Sequence, residues 1–440
     1  MDIQTLYGYF LECGGVVTTD TRTLRGGELF FALKGENFDG NAFALQALEA
    51  GARYAVVAED SEAAQSSRPG ILPVPDTLEA LQALARHHRE QLRPDGKPLT
   101  VLGLTGTNGK TTTKELIRTV LATHYSLVAT EGNLNNDIGV PLTLLRLKPD
   151  TQLAVVEMGA NHPDDISHLV RVCEPDLGLI TNVGRAHLLG FGSFDGVKRA
   201  KGQLYDYIAA HGGEIFLNTD DPDLCMMAAA RPGLSILPYG LTQDGASVLP
   251  SHPEEPFLRL RLGQRVIKTR LVGAYNAANV MAALAVGARF GIPVSDAAAA
   301  IAAYEPVNQR SQMTKTGRNT LIVDAYNANP SSMNAALDHF AAVQASCKYA
   351  LLGDMRELGE ESLQEHCSIV RKALDADYRP VFVGEEFGRA LSALGLSDAA
   401  SWYPDSAALS DALKAHPLEG ALVLIKGSRG IRMEKVIPEL

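Results

Sequence analysis

Residues 103–113, Gly-Leu-Thr-Gly-Thr-Asn-Gly-Lys-Thr-Thr-Thr, constrain this chain more tightly than any other stretch. An apolar run from Leu99 to Leu104 leads into a turn holding Gly106 and Gly109, and a helical pattern follows from Thr111 to about Thr123. Strand, glycine turn and helix in that order let backbone N–H groups close around phosphate oxygens, with the helix's positive end aimed at them. In such a loop Lys110 reaches the β- and γ-phosphates, and the Thr111 hydroxyl ligates a magnesium ion. Gly106, Thr107, Asn108, Gly109 and Thr112 complete the expected cradle. The strict phosphate-loop pattern needs glycine five residues before Gly109, where Leu104 stands. The match is therefore to a local variant, Thr-Gly-Thr-Asn-Gly-Lys-Thr. A chance glycine turn ahead of a helix is the bland alternative.

A chain of 440 residues exceeds one hydrophobic core, and about three domains is the natural division. With 46% apolar and 21% charged residues it has the balance of a soluble globular protein. No apolar run approaches the roughly 20 residues of a membrane helix. The opening Met1-Asp2-Ile3-Gln4 lacks a basic stretch before an apolar one, which argues against export. Cys13, Cys173, Cys225, Cys347 and Cys367 are scattered without metal-type spacing, as free thiols of a reducing cytoplasm are. A net charge of −11 excludes a broad basic surface for nucleic acid, but not a local phosphate site.

Composition breaks divide the chain. Residues 88–98 are polar and end in turn formers just before the phosphate-loop strand, and a second break falls near Glu305-Pro306-Val307-Asn308. Between them strands at Leu99–Leu104, Leu153–Met158, Leu177–Val183 and Glu214–Asn218 alternate with helices near 111–123, 163–173, 195–210 and 276–290. That alternation predicts a helix-wrapped parallel sheet. Apolar runs Thr320–Asp324, Tyr349–Gly353, Pro380–Val383 and Ala421–Ile425 start it again in the last part. The first 85 residues carry runs Glu28–Leu33 and Tyr54–Val57 and one helix at about 41–50. The expectation is an α/β protein with domains at 1–96, 97–307 and 308–440.

Taken with the loop, three segments carry a wider resemblance: Gly132-Asn133-Leu134-Asn135-Asn136-Asp137-Ile138-Gly139-Val140-Pro141, Asp324-Ala325-Tyr326-Asn327-Ala328-Asn329-Pro330, and Leu352-Gly353-Asp354-Met355-Arg356-Glu357-Leu358-Gly359. Over essentially its whole length the chain resembles the Mur ligases, ATP-dependent amide-forming enzymes of peptidoglycan synthesis. The resemblance is closest to the branch that adds D-alanyl-D-alanine to a UDP-N-acetylmuramoyl tripeptide. It implies a small N-terminal domain for the UDP-sugar end, a central ATPase domain, and a Rossmann-like C-terminal domain that closes over the nucleotide and binds the dipeptide. Rival readings are a sister ligase adding one amino acid, a folylpolyglutamate synthase, and a non-catalytic nucleotide-binding regulator. The asparagine-rich 132–141 segment and Tyr326–Pro330 speak against the first two, and the joint presence of Lys110, Glu157, His187 and Lys201 against the third.

What the resemblance implies for single residues can be set beside their own chemistry. Glu157 ends an apolar strand, where open α/β sheets bind ligands, and matches a magnesium ligand. His187 matches a second one, although magnesium favours oxygen donors and a loop histidine is more often a hydrogen-bonded surface residue. Lys201 matches a lysine that carbon dioxide converts to a carbamate, which helps hold a second magnesium ion. That chemistry needs a neutral amine and hence burial or a nearby cation. A solvated lysine on a basic helix face is the alternative. Asn279 would meet adenine, while Asn276 could equally be a plain N-cap; Tyr275 stands where the family usually has histidine. From the C-terminal domain Arg310 would offset phosphoryl charge and Asp324 accept from ribose. Lys426-Gly427-Ser428-Arg429 belongs either near the substrate's carboxylate or on the surface. Thr21, Arg22, Lys34 and Asp39 match residues for the uridine diphosphate end, with Asn41 where histidine is common. Asn133, Asn135 and Asn136 would line the peptide channel, and Asn327 and Asn329 would touch substrate. A monomer acting on small molecules, with no nucleic-acid or membrane partner, completes the expectation.

Overall fold

The computed structural model describes residues 1–35, 38–250, 256–306 and 310–440. Near the N-terminus, β1 (Val17–Thr18) and β2 (Leu29–Phe31) precede a small hairpin, β3 (Lys34–Gly35) against β4 (Phe38–Asp39). Then come β5 (Tyr54–Ala58) and β6 (Ile71–Val74), and β1-β2-β5-β6 form a parallel sheet in that order. The second sheet holds β7 (Thr100–Thr105), β8 (Leu127–Ala129), β9 (Leu153–Glu157), β10 (Leu177–Ile180), β11 (Glu214–Asn218) and β12 (Ser235–Tyr239). Its order is β12-β11-β10-β7-β9-β8, all parallel. Beside it lies an antiparallel sheet of β13 (Ala246–Leu249), β14 (Phe257–Leu262) and β15 (Arg265–Val272).

The last sheet holds β16 (Gln312–Lys315), β17 (Thr320–Asp324), β18 (Lys348–Gly353), β19 (Arg379–Val383), β20 (Ser401–Tyr403) and β21 (Leu422–Lys426). It runs β16-β17-β21-β18-β19-β20, parallel except for β16. The expected α/β class and repeated alternation are therefore present.

β7, β9 and β10 are almost wholly apolar and buried on both faces, as inner strands of a helix-covered parallel sheet must be. Crossovers leave β7 and β10 in opposite directions, so a crevice opens between the loops that follow them. Both loops enter the site described below.

Several expectations are corrected. Of the polar stretch at 88–98, residues 88–91 end a helix, Thr77–Gln91, whose Leu81, Leu84, Ala85 and His88 turn inward and whose Glu79, Arg86 and Glu90 face water, while Arg89 pairs with Glu174 and Asp176. A first helix, Ile3–Glu12, had no counterpart in the sequence reading, and the helix at 41–50 is a 3-10 turn, Gly40–Phe43, followed by Ala44–Glu49. The strand from Leu177 ends at Ile180, releasing Thr181–Val183 into a loop. β12 to β15 escaped notice because exposed or alternating charged residues interrupt their apolar pattern. The boundary after 96 falls in a turn ahead of β7; the one at 307–308 lies outside the described residues.

Candidate active site

The crevice is a cavity of about 710 Å³ whose walls come from the central and C-terminal sheets. Its floor is the loop after β7. Gly109 sits at φ 77°, and a Cβ there would lie 2.7 Å from Asn279 Oδ1, so the turn requires glycine. Thr107 N–H donates to Asn182 O (3.0 Å) and Asn108 N–H to Asn182 Oδ1 (3.0 Å), while Asn182 Nδ2 donates back to Asn108 O (3.0 Å). These two loop amides are therefore spent on the neighbouring loop rather than left for phosphate. The N–H groups of Gly109, Lys110, Thr111 and Thr112 have no acceptor among the described residues and stand at the start of the helix Lys110–Leu121. They are its anion-binding end. Lys110 Nζ folds back to donate to Gly106 O (2.8 Å) and Thr107 O (3.1 Å). Burial pulls its pKa down to about 8, with Glu157 opposing and Arg310 adding to the fall.

Glu157 closes β9, almost fully buried. Its Oε1 accepts from Asn135 Nδ2 (2.9 Å) and Thr111 Oγ1 (3.2 Å), and its backbone N–H donates to Thr130 Oγ1. Its Oε2 is buried with no hydrogen-bond partner. An unsatisfied carboxylate oxygen in such a place is costly unless a cation meets it, so the site fits a magnesium ion. Among the described residues no three His, Cys, Asp or Glu side chains gather into a metal-holding group. The donors available are instead of mixed type, with Glu157 the central one. Asn135, expected only along the peptide channel, thus also orients that carboxylate. Asn136 caps the chain with Oδ1 on Gly139 N–H (2.9 Å), and Asn133 lines the cavity.

Lys201, on the helix Phe194–His211, is 2% exposed and makes no hydrogen bond or ion pair among the described residues. Its Nζ lies 5.8 Å from the Phe191 ring centroid. Burial first and Lys110 second push its pKa well below the ordinary lysine value, against Asp165. The solvated-lysine alternative is thereby removed. His187 adopts φ 52° and pairs through Nδ1 with Glu357 Oε2 from the C-terminal part. Burial lowers its pKa, Glu357 opposes, and Lys110 and Lys201 add to the fall.

The opposite wall brings Arg310, whose guanidinium carbon stands 3.9 Å from the Tyr326 ring centroid and whose buried Nε has no partner. Asp324 accepts from Lys426 Nζ (2.5 Å) and from Ser311 N–H (3.3 Å). Lys426 is buried in that pair and lines the cavity, which removes the surface alternative. Asn329 caps the helix Pro330–Ala342 and donates from Nδ2 to Asn108 Oδ1 (2.8 Å); Asn327 lines the cavity, exposed. Asn276 occupies an N-cap position without capping; it donates to Val272 O and accepts from Asn279 Nδ2 (2.8 Å). Asn279 Oδ1 in turn accepts from Thr113 Oγ1 (3.0 Å), directly behind Gly109. Tyr275 bonds Ser311 Oγ (2.7 Å) and so ties the two walls.

Three segments match the models of the Mur ligase family: its catalytic domain over residues 15–89, its middle domain over 104–287 and its glutamate ligase domain over 309–429. The chain is 36% identical over 433 residues to the UDP-N-acetylmuramoyl-tripeptide–D-alanyl-D-alanine ligase of Bacillus subtilis (strain 168), covering 96% of this chain and 92% of that one. It is also 36% identical over 440 residues to the ligase of the same name from Escherichia coli (strain K12), covering 96% and 93%. The chain belongs to the Mur ligase family. Among solved structures, MurF from Acinetobacter baumannii superposes with a TM-score of 0.83 at 30% identity, covering 96% of this chain and 92% of that one. MurF from Thermotoga maritima in complex with ADP gives 0.82 at 25% identity, covering 96% of each.

This Mur ligase does not bring every expected residue to the cavity. Thr21, Arg22, Lys34 and Asp39 belong to the N-terminal part and are not among its lining. Arg22 is exposed and paired with Asp20 (2.7 Å). Asp39 accepts from Asn41 N–H and Nδ2, and Asn41 Oδ1 accepts from Ala58 N–H (2.8 Å). Asn41 is thus buried as a brace between the hairpin and β5. Gly106, Thr111 and Lys201 stand behind the lining rather than in it, while Thr112 is part of it. Sequence reasoning missed Asn182 and Glu357. Both lay inside segments already singled out, Asn182 two residues past the end of β10 and Glu357 four past the end of β18, but neither residue type announces a role there.

Proposed function

We propose that this Mur ligase joins D-alanyl-D-alanine to UDP-N-acetylmuramoyl tripeptide, at the expense of ATP, as a monomer in the cytoplasm. The observation that carries the reading is the cavity itself: free amides at the phosphate loop and Lys110 on one wall face Arg310 on the other. Names of relatives at 36% identity supply the substrates. The tripeptide's terminal carboxylate oxygen attacks the γ-phosphorus as the bond to ADP breaks. The dipeptide's amine then attacks the acyl carbon, loses a proton and displaces phosphate. Such a sequence needs charge neutralisation, alignment and exclusion of water.

Lys110 and the amides of residues 109–112 hold the β- and γ-phosphates. Arg310 lowers the repulsion between the two anions, Asp324 accepts from ribose, and Asn279 reaches adenine. Thr111, Glu157, His187 and a carbamylated Lys201 hold two magnesium ions, which supply further neutralisation of phosphoryl charge. Burial, which pushes the Lys201 pKa well below the ordinary lysine value, favours the free amine that carbamate formation requires. A carbon-13 resonance from labelled bicarbonate, absent from Lys201→Arg, tests it. Thr21, Arg22, Lys34 and Asp39 receive the uridine diphosphate end, and Asn133, Asn135, Asn136, Asn327 and Asn329 the peptide arm. Among the described residues no helix is long and apolar enough to cross a membrane.

The decisive experiment measures phosphate release with ATP, magnesium and the tripeptide substrate, with and without D-alanyl-D-alanine. Release that needs both establishes the ligase. Release driven by a single amino acid moves the protein to a sister step, and silence with every amine despite ATP binding makes it a regulator.

A further inference from the structure

The helix that follows the phosphate loop carries a second lysine, Lys114, one turn after Lys110, and its side chain is wholly buried. An ammonium shut away from water is costly unless its partners are in place. Its Nζ donates to Thr130 O (2.5 Å) and pairs with Glu115 Oε1 (2.9 Å), whose other oxygen meets Arg118 Nε (2.8 Å). Apolar residues of similar volume often match or exceed such a buried pair in stability. The use of Lys114 therefore lies in what it holds.

What it holds is the residue that follows β8. Thr130 is buried; its N–H donates to Val155 O (3.0 Å), and its Oγ1 accepts from Glu157 N–H (2.9 Å). A parallel ladder continued from β8 to β9 would instead send Glu157 N–H to Thr130 O. Lys114 occupies that carbonyl, and the threonine hydroxyl takes the amide in its place. The ladder thus ends at the residue whose carboxylate carries the unpartnered Oε2. From Thr130 the chain runs on to Asn135, which returns its Nδ2 to Glu157 Oε1 (2.9 Å). Thr111 Oγ1, three residues before Lys114 on the same helix, meets that same oxygen (3.2 Å).

We propose that Lys114 and Thr130 are positioning residues, which together brace Glu157 against the phosphate-loop helix and so set the site's affinity for its divalent cation. The proposal rests on the reading of Glu157 as a magnesium ligand given above, and adds the residues that aim it. Groups that orient a metal ligand from behind typically cost about 10–100-fold in metal affinity when removed.

The test reads two quantities in the full chain. One is Mn2+ binding, followed by loss of the free ion's electron paramagnetic resonance signal; the other is the Mg2+ concentration for half-maximal phosphate release. Thr130→Val keeps the shape and loses the hydroxyl, and should raise both constants by about tenfold or more. Thr130→Ser should restore the wild-type values, whereas a side chain that serves only packing would be replaced better by valine. Lys114→Met leaves Glu115 paired with Arg118 and should match Thr130→Val. The two together should add less than about twofold to either alone, because both act through the Glu157 amide. Denaturant midpoints above the conditions of the titration establish that each variant is folded. If Glu157→Gln binds Mn2+ and responds to Mg2+ like the wild type, the metal reading falls and the brace falls with it. If Glu157→Gln loses the ion while Thr130→Val and Lys114→Met keep it, the brace alone is overturned. Equal losses in Thr130→Ser and Thr130→Val overturn it as well.

Discussion

The central part is joined to its two neighbours by interfaces of opposite chemistry. Toward the N-terminus the helix Thr77–Gln91 lays Leu81, Leu84 and Ala85 into one core with Val140, Leu144, Ile166 and Leu169. His88 adds a bond from Nε2 to Leu147 O (2.9 Å). Toward the C-terminus the contacts are polar: Asn108 with Asn329, Arg185 with Glu361 (2.9 Å), and His187 with Glu357. Of the apolar core of the C-terminal part, only Phe257 and Val272 come from the central part, near the connection between the two; Tyr275 against the His339 ring and Leu189 beside Gly359 add small contacts. Opening the first interface would return apolar area to water at about 25 cal/mol per Å². Opening the second exchanges polar partners for water at little net cost. The lesson is that the cavity lined by the phosphate loop lies along the joint that can open, while the cavity beside the apolar joint, at Arg89, Glu174 and Asp176, holds no phosphate-loop residue. A site divided in this way can admit charged substrates and then exclude water by closing.

Substitutions at the two joints sharpen the contrast. Lys110→Ala, in the cavity at the polar joint, should cut turnover by roughly hundreds-fold or more through lost charge stabilisation, with the denaturation midpoint unmoved. Unchanged turnover would remove Lys110 from the site. Leu84→Ala at the apolar joint should do the reverse: about 2–5 kcal/mol lost in denaturant unfolding, with KM values held. If its main effect fell on KM instead, the apolar joint would not be the rigid one. Smallest is Arg185→Ala, whose half-exposed pair is worth about 0–1 kcal/mol. Its stability should barely change, while the KM for ATP, read from initial rates, shifts by at most about fivefold. A loss as large as that from Leu84→Ala would mean the polar joint is as fixed as the other.

Much of this site could be read from order and residue type along the chain. The glycines of the phosphate loop, Glu157 at a strand end, and Asp324 at the end of Thr320–Asp324 all declare themselves locally, because the backbone geometry they need is local. What lay beyond that reading was pairing. Asn182 takes two loop amides that the sequence left for phosphate, Asn135 turns its amide to Glu157, and Lys426 pairs with Asp324. Helix Thr77–Gln91 hid behind its charged outer face, since inward residues four apart count only once a partner surface exists to bury them.

The sequence by itself determined the class of fold, the phosphate loop and the identity of the charged groups, since these follow from short-range geometry and residue chemistry. Tertiary structure alone decided that Lys201 is buried, with its pKa pushed well below the ordinary lysine value, and that Glu157 Oε2 lacks a partner. Burial and electrostatic environment depend on which distant segments meet, and a linear order of residues does not contain those distances.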